Sequence, residues 1–128
     1  MGKVNSVALT KPTSDPTPAE GNTFDVAGQV SVGGGPTDYD MHWQWDQGSA
    51  SWTDISSSGA LSTADTNPQN NLSDASAYTI AVAANSAGTY SVRIRTVDHR
   101  DGDAEDLSSS QTVTVSAVGG GRRIFVIS

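Results

Sequence analysis

The sequence predicts an all-β protein, an antiparallel β-sandwich with extended N- and C-terminal arms, and three observations support this fold class. Apolar and polar residues alternate with a period of two along several short segments. Clusters of glycine, proline and asparagine separate these segments at the spacing typical of a sandwich. Apolar residues make up only 35% of the 128 residues. That share suits short, half-buried strands better than helices.

The chain divides into three parts. Residues 1–21 contain one strand near Val4–Leu9 and a Pro-rich crossing segment. Residues 22–117 contain the strands of the sandwich, and residues 118–128 form a glycine hinge and a C-terminal strand-like arm. The predicted strands of the sandwich begin at Phe24, Tyr39, Ser51, Tyr78, Tyr90 and Gln111.

Three details of the sandwich follow from the pattern. The strands that begin at Tyr39 and Ser51 are joined by a short turn and form a hairpin. Residues 56–75 are polar and predict a long loop with a short edge strand near Leu61. Residues 98–106 predict an acidic loop.

Four segments of the sandwich carry a family pattern, namely Met41–Trp45, Ser51–Ile55, Tyr78–Ile80 and Ala87–Ile94. With these segments, residues 22–117 resemble the immunoglobulin-like domains found in tailed-phage virion proteins and bacterial surface proteins. The resemblance implies that Trp43 fills the space between two sheets and that Tyr90 forms a tyrosine corner. It also implies that Val92 stands where antibody-type domains have their second cysteine.

Composition excludes several classes of function. The formal net charge is −7, which argues against a nucleic-acid partner. The chain has no cysteine, so disulfides and cysteine-bound zinc are excluded. No apolar run is long enough to span a membrane, and the N-terminus is not a secretory signal, so no membrane partner is expected.

The sequence predicts no enzyme and no cofactor. Only two histidines occur, and neither His42 nor His99 stands in a recognisable nucleophile–base pattern. The acidic loop is the one candidate metal site, because clustered carboxylates are suitable ligands for calcium. The alternative is a solvated loop that keeps the sheet edge soluble. The candidate calcium ligands are Asp98, Asp101, Asp103, Glu105 and Asp106.

Two groups of side chains are candidates for a surface site. Arg93 and Arg95 project outward, either to pair with Gln44 and Asp46 on the neighbouring strand or to form an interface. Trp45 and Trp52 either pack on each other or form an exposed aromatic patch.

The C-terminal arm is the most informative segment. Three glycines precede two arginines and four apolar residues, a pattern that favours pairing with a sheet edge. The arm pairs either with its own domain as an eighth strand or with a neighbouring molecule. Residues 12–118 hold all 14 acidic residues and only three arginines, so a basic arm faces an acidic body. The predicted partner-binding residues are Arg122, Arg123, Ile124, Phe125, Val126 and Ile127.

These features favour a non-enzymatic structural protein of a phage particle, such as a head decoration or cement protein. It would contact a capsid protein or further copies of itself through its termini, as a homo-oligomer. Its location would be the virion, assembled in the host cytoplasm. The alternative is a tail-associated or carbohydrate- and host-binding adhesin module that uses Trp45, Trp52 and the 56–75 loop.

Overall fold

The structure is a computed structural model that describes residues 2–118, and their regular elements are ten β-strands and one short 3₁₀ turn over His99–Asp101. Leu61 lies in a short strand, as predicted. The strands are β1 Lys3–Lys11, β2 Thr23–Gly33, β3 Tyr39–Asp46, β4 Thr53–Asp54, β5 Leu61–Ser62, β6 Gln69–Leu72, β7 Tyr78–Ala84, β8 Gly88–Asp98, β9 Ala104–Leu107 and β10 Gln111–Val115.

The strands form two antiparallel sheets, which confirms the predicted sandwich. The first sheet has the order β1-β2-β7-β5, and the second has the order β10-β8-β3-β4. β6 also pairs with β3, and β9 also pairs with β8. A first sheet of four strands opposite a second sheet built on β3, β8 and β10 is the arrangement of an immunoglobulin-like domain.

The alternating sequence places one face of each long strand in the core. Trp43 and Val92 are completely buried, and Tyr90 is 1% exposed, as the sequence predicts. Close packing between the two sheets removes these side chains from water, and that burial is the main stabilising contribution to the fold. The largest buried side chains are Trp43, Tyr39, Tyr90, Met41, Ile55, Leu61, Ile80 and Ile94.

The tyrosine corner is present. The hydroxyl of Tyr90 donates a hydrogen bond to the backbone carbonyl of Ser86 at 2.9 Å. Gly88 has a φ of +154°, and a Cβ atom there would lie 3.0 Å from the Tyr90 hydroxyl. Glycine is therefore required where the chain passes beneath the phenol.

The N-terminal strand belongs to the sandwich rather than to a separate arm. β1 pairs with β2 along its length, and Val4 and Val7 contribute to the core. The backbone N–H of Val4 also donates to the carboxylate of Asp98, which lies on the second sheet, at 2.8 Å. β1 therefore joins the two sheets at one side of the sandwich.

The Pro-rich segment between β1 and β2 covers the outer edge of β10. Asp15 accepts a hydrogen bond from the backbone N–H of Thr114 at 2.8 Å. The N–H of Ser116 donates to the carbonyl of Pro18, and the N–H of Glu20 donates to the carbonyl of Ser116. An uncovered edge strand is a template for pairing with other chains, and this cover removes that template at the C-terminal end of β10, from Thr114 onward.

Two segments predicted as loops contain strands. The 56–75 segment includes β6 in addition to β5, and the 98–106 segment includes β9. The sequence pattern missed β6 and β9 because both are four-residue edge strands with no fully buried residue. The predicted strand at Ser51–Ile55 is shorter than expected, since β4 covers only Thr53–Asp54.

Candidate functional site

The outer surface of the second sheet has the richest combination of charged and aromatic side chains among the described residues. We call this surface the Arg93 face. The pairing of β3 with β4 and β8 places Gln44 opposite both Asp54 and Arg93, and His42 opposite Arg95. Directly paired residues project from the same side of a sheet. The Arg93 face comprises His42, Gln44, Trp52, Asp54, Arg93, Arg95, Glu105 and Leu107.

Arg93 lies at the centre of this face in a fixed orientation. Its guanidinium carbon lies 4.3 Å from the centroid of the Trp52 ring, within the range of a cation–π contact. Its Nε donates to the side-chain oxygen of Gln44 at 3.0 Å, which confirms the predicted Gln44 pairing. Among the described residues, no carboxylate lies within ion-pair distance of Arg93. Desolvation and the nearby Arg95 lower the pKa of the Arg93 guanidinium from its ordinary value.

The other ionisable groups of the face are already paired. His42 Nδ1 lies 2.9 Å from Asp54 Oδ2, and this contact is the first cause of a lowered Asp54 pKa. Arg95 donates to Glu105 at 2.7 Å. This hydrogen bond raises the pKa of Arg95 and lowers the pKa of Glu105. Arg93 is therefore the charged group of this face that has no carboxylate within ion-pair distance among the described residues, although Glu105 and Asp46 act on it from farther away.

An exposed leucine extends the face on the side of β9. Leu107 is 50% exposed and pairs with Arg95, so its side chain projects from the same surface. Arginine and tryptophan are the residue types most enriched at the centres of protein interfaces. The combination of Arg93, Trp52 and Leu107 is chemically suited to binding a protein surface that carries a carboxylate.

Asp46 was a predicted partner of the arginines, but it caps its own turn. Its carboxylate accepts hydrogen bonds from the backbone N–H groups of Gly48, Ala50 and Ser51. Desolvation opposes the ionisation of Asp46, but these hydrogen bonds outweigh it and lower the pKa. An aspartate before a tight turn commonly satisfies the backbone in this way.

Trp45 and Trp52 do not form a joint patch. Trp45 pairs in register with the buried Val92 and packs edge-to-face on Tyr90, with ring centroids 5.6 Å apart. Trp52 packs against Arg93, on the outer surface. Because neighbouring residues of a strand project to opposite faces, the two tryptophans lie on opposite sides of the second sheet.

The carboxylates of the candidate calcium site are engaged separately. Asp98 is buried and accepts hydrogen bonds from the N–H groups of Val4 and Arg100. Asp101 pairs with Lys3, and Glu105 pairs with Arg95. Within residues 2–118, no group of three or more histidine, cysteine, aspartate or glutamate side chains is arranged to hold a metal ion.

Asp103, another of those carboxylates, belongs to a charged cluster at one end of the sandwich. His99 Nδ1 lies 2.9 Å from Asp103, and His99 Nε2 lies 2.9 Å from Asp40 on β3. The hydrogen bonds to Asp103 and Asp40 raise the pKa of His99. The cluster holds the turn between β8 and β9 against the start of β3, so its evident role is structural.

The C-terminal arm, Arg122 to Ile127, lies outside the described residues. The last described residue is Val118, which is 51% exposed and whose N–H donates to Glu20 at 3.3 Å. In the part of the chain that the structure describes, no helix is long and apolar enough to cross a membrane.

The sequence identified the two arginines and Trp52 but not their arrangement. Gln44 was predicted as a partner of the arginines, whereas Asp54 gave no signal. The Arg95–Glu105 pair depends on β9, which the pattern did not show. The register of β3 against β4 and β8 brings these groups together. The pairing of Trp52 with Arg93 could not be read from the spacing between them, because 40 residues and several strands intervene.

Solved structures resemble the whole sandwich. The PKD domain of an M14-like peptidase from Thermoplasmatales archaeon SCGC AB-540-F20 matches with a TM-score of 0.52 and 17% identity, covering 89% of this chain and 96% of that one. PapD-like domain 7 of human CEP192 matches with a TM-score of 0.52 and 11% identity, covering 90% of this chain and 87% of that one. No protein-family model and no curated protein sequence matches the chain. At these identities the similarity concerns the fold alone, and this fold is an immunoglobulin-like β-sandwich.

Proposed function

We propose that this protein is a non-enzymatic structural component of a phage particle, a head decoration or cement protein. In this proposal it is located in the virion after assembly in the host cytoplasm. It attaches to a capsid protein or to further copies of itself through the C-terminal arm. The resemblance of residues 22–117 to virion immunoglobulin-like domains suggests the particle, and the covered edge of β10 supports the mode of attachment.

The cover over β10 is the observation that carries the proposal. An additional strand formed by the arm on its own domain would most simply extend the sheet beyond β10, the last strand before it. Residues Asp15, Pro18 and Glu20 already occupy the C-terminal end of that edge through hydrogen bonds to Thr114 and Ser116. The four apolar residues of the arm, Ile124 to Ile127, would then gain cover from another molecule.

Charge favours the same arrangement. The arm contributes Arg122 and Arg123, and residues 12–118 carry a formal charge of −11. An acidic neighbouring copy would attract such an arm over roughly one Debye length, about 8 Å at physiological salt. Burial of the apolar residues would then stabilise the contact by about 1.5–3 kcal/mol for each large side chain that is fully covered.

The described side chains support a non-catalytic role. His42 is paired with Asp54, and His99 is held between two carboxylates. Neither histidine contacts a serine or threonine hydroxyl among the described residues, so neither forms a nucleophile–base pair there. The polar groups mainly close turns and connect strands.

The test is occupancy of particles by a truncated chain. Particles would be assembled with the full chain or with a chain that ends at Val118, and bound copies would be counted by quantitative mass spectrometry. We expect the full chain at a fixed number of copies per particle, and a loss of at least about tenfold for the truncated chain. A chain with Ser128→Ala is the matched control. Equal occupancy by both chains, or absence of the full chain from particles, would refute the proposal.

A further inference from the structure

A second self-association surface is indicated by the charge left unmatched on the Arg93 face. The guanidinium is fixed by Trp52 and Gln44, so a carboxylate that binds it need not immobilise a flexible side chain. An arginine with free terminal nitrogens binds carboxylates through paired, charge-assisted hydrogen bonds. In the described residues the terminal nitrogens of Arg93 have no hydrogen-bond acceptor. The face is thus prepared for a carboxylate from another molecule.

The opposite side of the sandwich presents a matching carboxylate. Asp25 on β2 is exposed and has no hydrogen-bond or ion-pair partner among the described residues. It pairs in register with Ala81, whose N–H donates to the carboxylate of Asp65, so two acidic groups flank one alanine. The outward neighbours of Asp25 on β7, Thr79 and Ala81, are small, and Lys11 pairs with Ala27 at the next outward position of β2. We call this surface the Asp25 face, and it comprises Thr23, Asp25, Asp65, Thr79 and Ala81.

We propose that the Arg93 face of one copy binds the Asp25 face of a second copy, with Arg93 paired to Asp25. The proposal names a partner for the structural role suggested above, but it rests on residues other than the C-terminal arm. The commitment to a second copy follows from charge complementarity. An acidic body carries an unpaired arginine on one side and unpaired or exposed carboxylates on the other.

The contact is between unlike faces. Two Arg93 faces placed together would bring two unpaired guanidiniums towards each other, and like charges at an interface are unfavourable. The two faces belong to different sheets and therefore point in opposite directions. A contact between unlike faces repeats from copy to copy and forms a ring if the rotation closes or a filament if it does not.

The experiment is a charge swap in the full chain, measured by sedimentation velocity at about 20 mM salt, where screening is small. We expect Arg93→Glu and Asp25→Arg each to lower the association constant by at least about tenfold. The double variant restores the pair with opposite polarity, and we expect its association constant within about threefold of the original. Arg100→Glu changes the same charge on an exposed turn outside both faces, and it should leave association nearly unchanged.

Three results would overturn the inference. The first is a full chain that stays monomeric at about 1 mM. The second is a double variant no better than the single ones. The third is a loss of association in Phe125→Asp but not in Arg93→Glu. That result assigns self-association to the C-terminal arm, so it overturns this inference and leaves the proposed function standing. The two contacts are independent if truncation after Val118 abolishes particle binding while Arg93→Glu and Asp25→Arg still weaken self-association singly and restore it together.

Discussion

His99 shows how one side chain can tie separate strands together. Its two ring nitrogens contact Asp103 on one side and Asp40 on the other, each at 2.9 Å. Both contacts are hydrogen bonds to carboxylates only if both nitrogens carry a proton, so the bridge is complete in the imidazolium form. Asp40 also accepts from the N–H of Asn71, which connects the cluster to β6.

The raised pKa of His99 predicts a pH dependence of stability. A raised pKa in the folded state means that His99 contributes stability fully below its unfolded pKa, about 6.5. That contribution is lost as the pH rises through the folded pKa. Asp38, Asp40 and Asp103 all favour the charged ring.

We therefore expect urea unfolding of the native chain to show stability falling as the pH rises above about 6.5, and His99→Gln to remove most of this slope. An NMR titration of the His99 ring should give a midpoint above 6.5. The same pH slope in His99→Gln, or a midpoint below 6.5, would show that the bridge is not formed as described.

At the scale of strands, Asn67 shows how a loop residue can replace a strand. Its side-chain amide accepts from the N–H of Trp43 and donates to the carbonyls of Trp43 and Ile55. These bonds occupy the outer edge of β3 between its partners β4 and β6. The two short strands β4 and β6 and the Asn67 side chain therefore close the outer edge of β3. The Pro-rich segment plays the same part at the opposite edge of this sheet, at the C-terminal end of β10.

The Pro-rich cover of β10 predicts the effect of removing Asp15. The carboxylate accepts hydrogen bonds from both the N–H and the hydroxyl of Thr114. Desolvation opposes its ionisation, but the bonds from Thr114 and Thr17 outweigh it and lower the Asp15 pKa. The Asp15 carboxylate therefore stabilises the fold fully above its unfolded pKa of about 3.8. This stabilisation is lost as the pH falls through the lower pKa of the folded state.

We expect Asp15→Ala to lower the free energy of unfolding by about 1 kcal/mol, because the exposed backbone N–H groups of Thr17 and Thr114 and the Thr114 hydroxyl lose their acceptor. Hydrogen exchange at the Thr114 amide should accelerate more than at amides in the middle of β8. Ser14→Ala, next to it and without a hydrogen bond of its own among the described residues, is the control. Unchanged exchange at Thr114 would contradict the role assigned to the cover.

The long strands and the core were predictable from the sequence, while the edges were not. In β2, β3, β7 and β8 a period of two places large apolar residues such as Trp43 and Val92 inside, and burial dominates the choice of face. β6 and β9 bury no residue completely, so no periodic pattern identifies them. Their positions depend on pairing with β3 and β8, and that register is a property of the folded molecule.

The candidate surface was predictable only in part, for the same reason. The outward position of Arg93 and its contact with Gln44 follow from strand alternation and from the resemblance that pairs the two strands. Its contact with Trp52 does not, since Trp52 reaches the face through the turn that Asp46 caps. The sequence left open whether Trp45 and Trp52 pack on each other or form a joint patch, and they do neither, because their side chains lie on opposite sides of the second sheet.

At the scale of the whole molecule, the proposed role is contact with other subunits. The C-terminal end of the β10 edge is covered, the edge of β3 is closed, and Arg93 and Asp25, neither of which has an ion-pair partner within residues 2–118, stand on opposite faces. A basic, apolar arm follows an acidic body in the sequence. These features fit a subunit that assembles with others.

Hydrogen exchange of the backbone amides of Ile124 to Ile127 tests the central claim most directly, because strand pairing with a neighbour protects those amides and nothing else in the account does. Exchange would be measured by mass spectrometry on the full chain, dilute and then bound to particles. The account predicts exchange at least about tenfold slower in the bound state than in the dilute chain. Protection that is the same in the dilute chain, as an additional strand on its own domain would give, or no protection in the bound state, would contradict it.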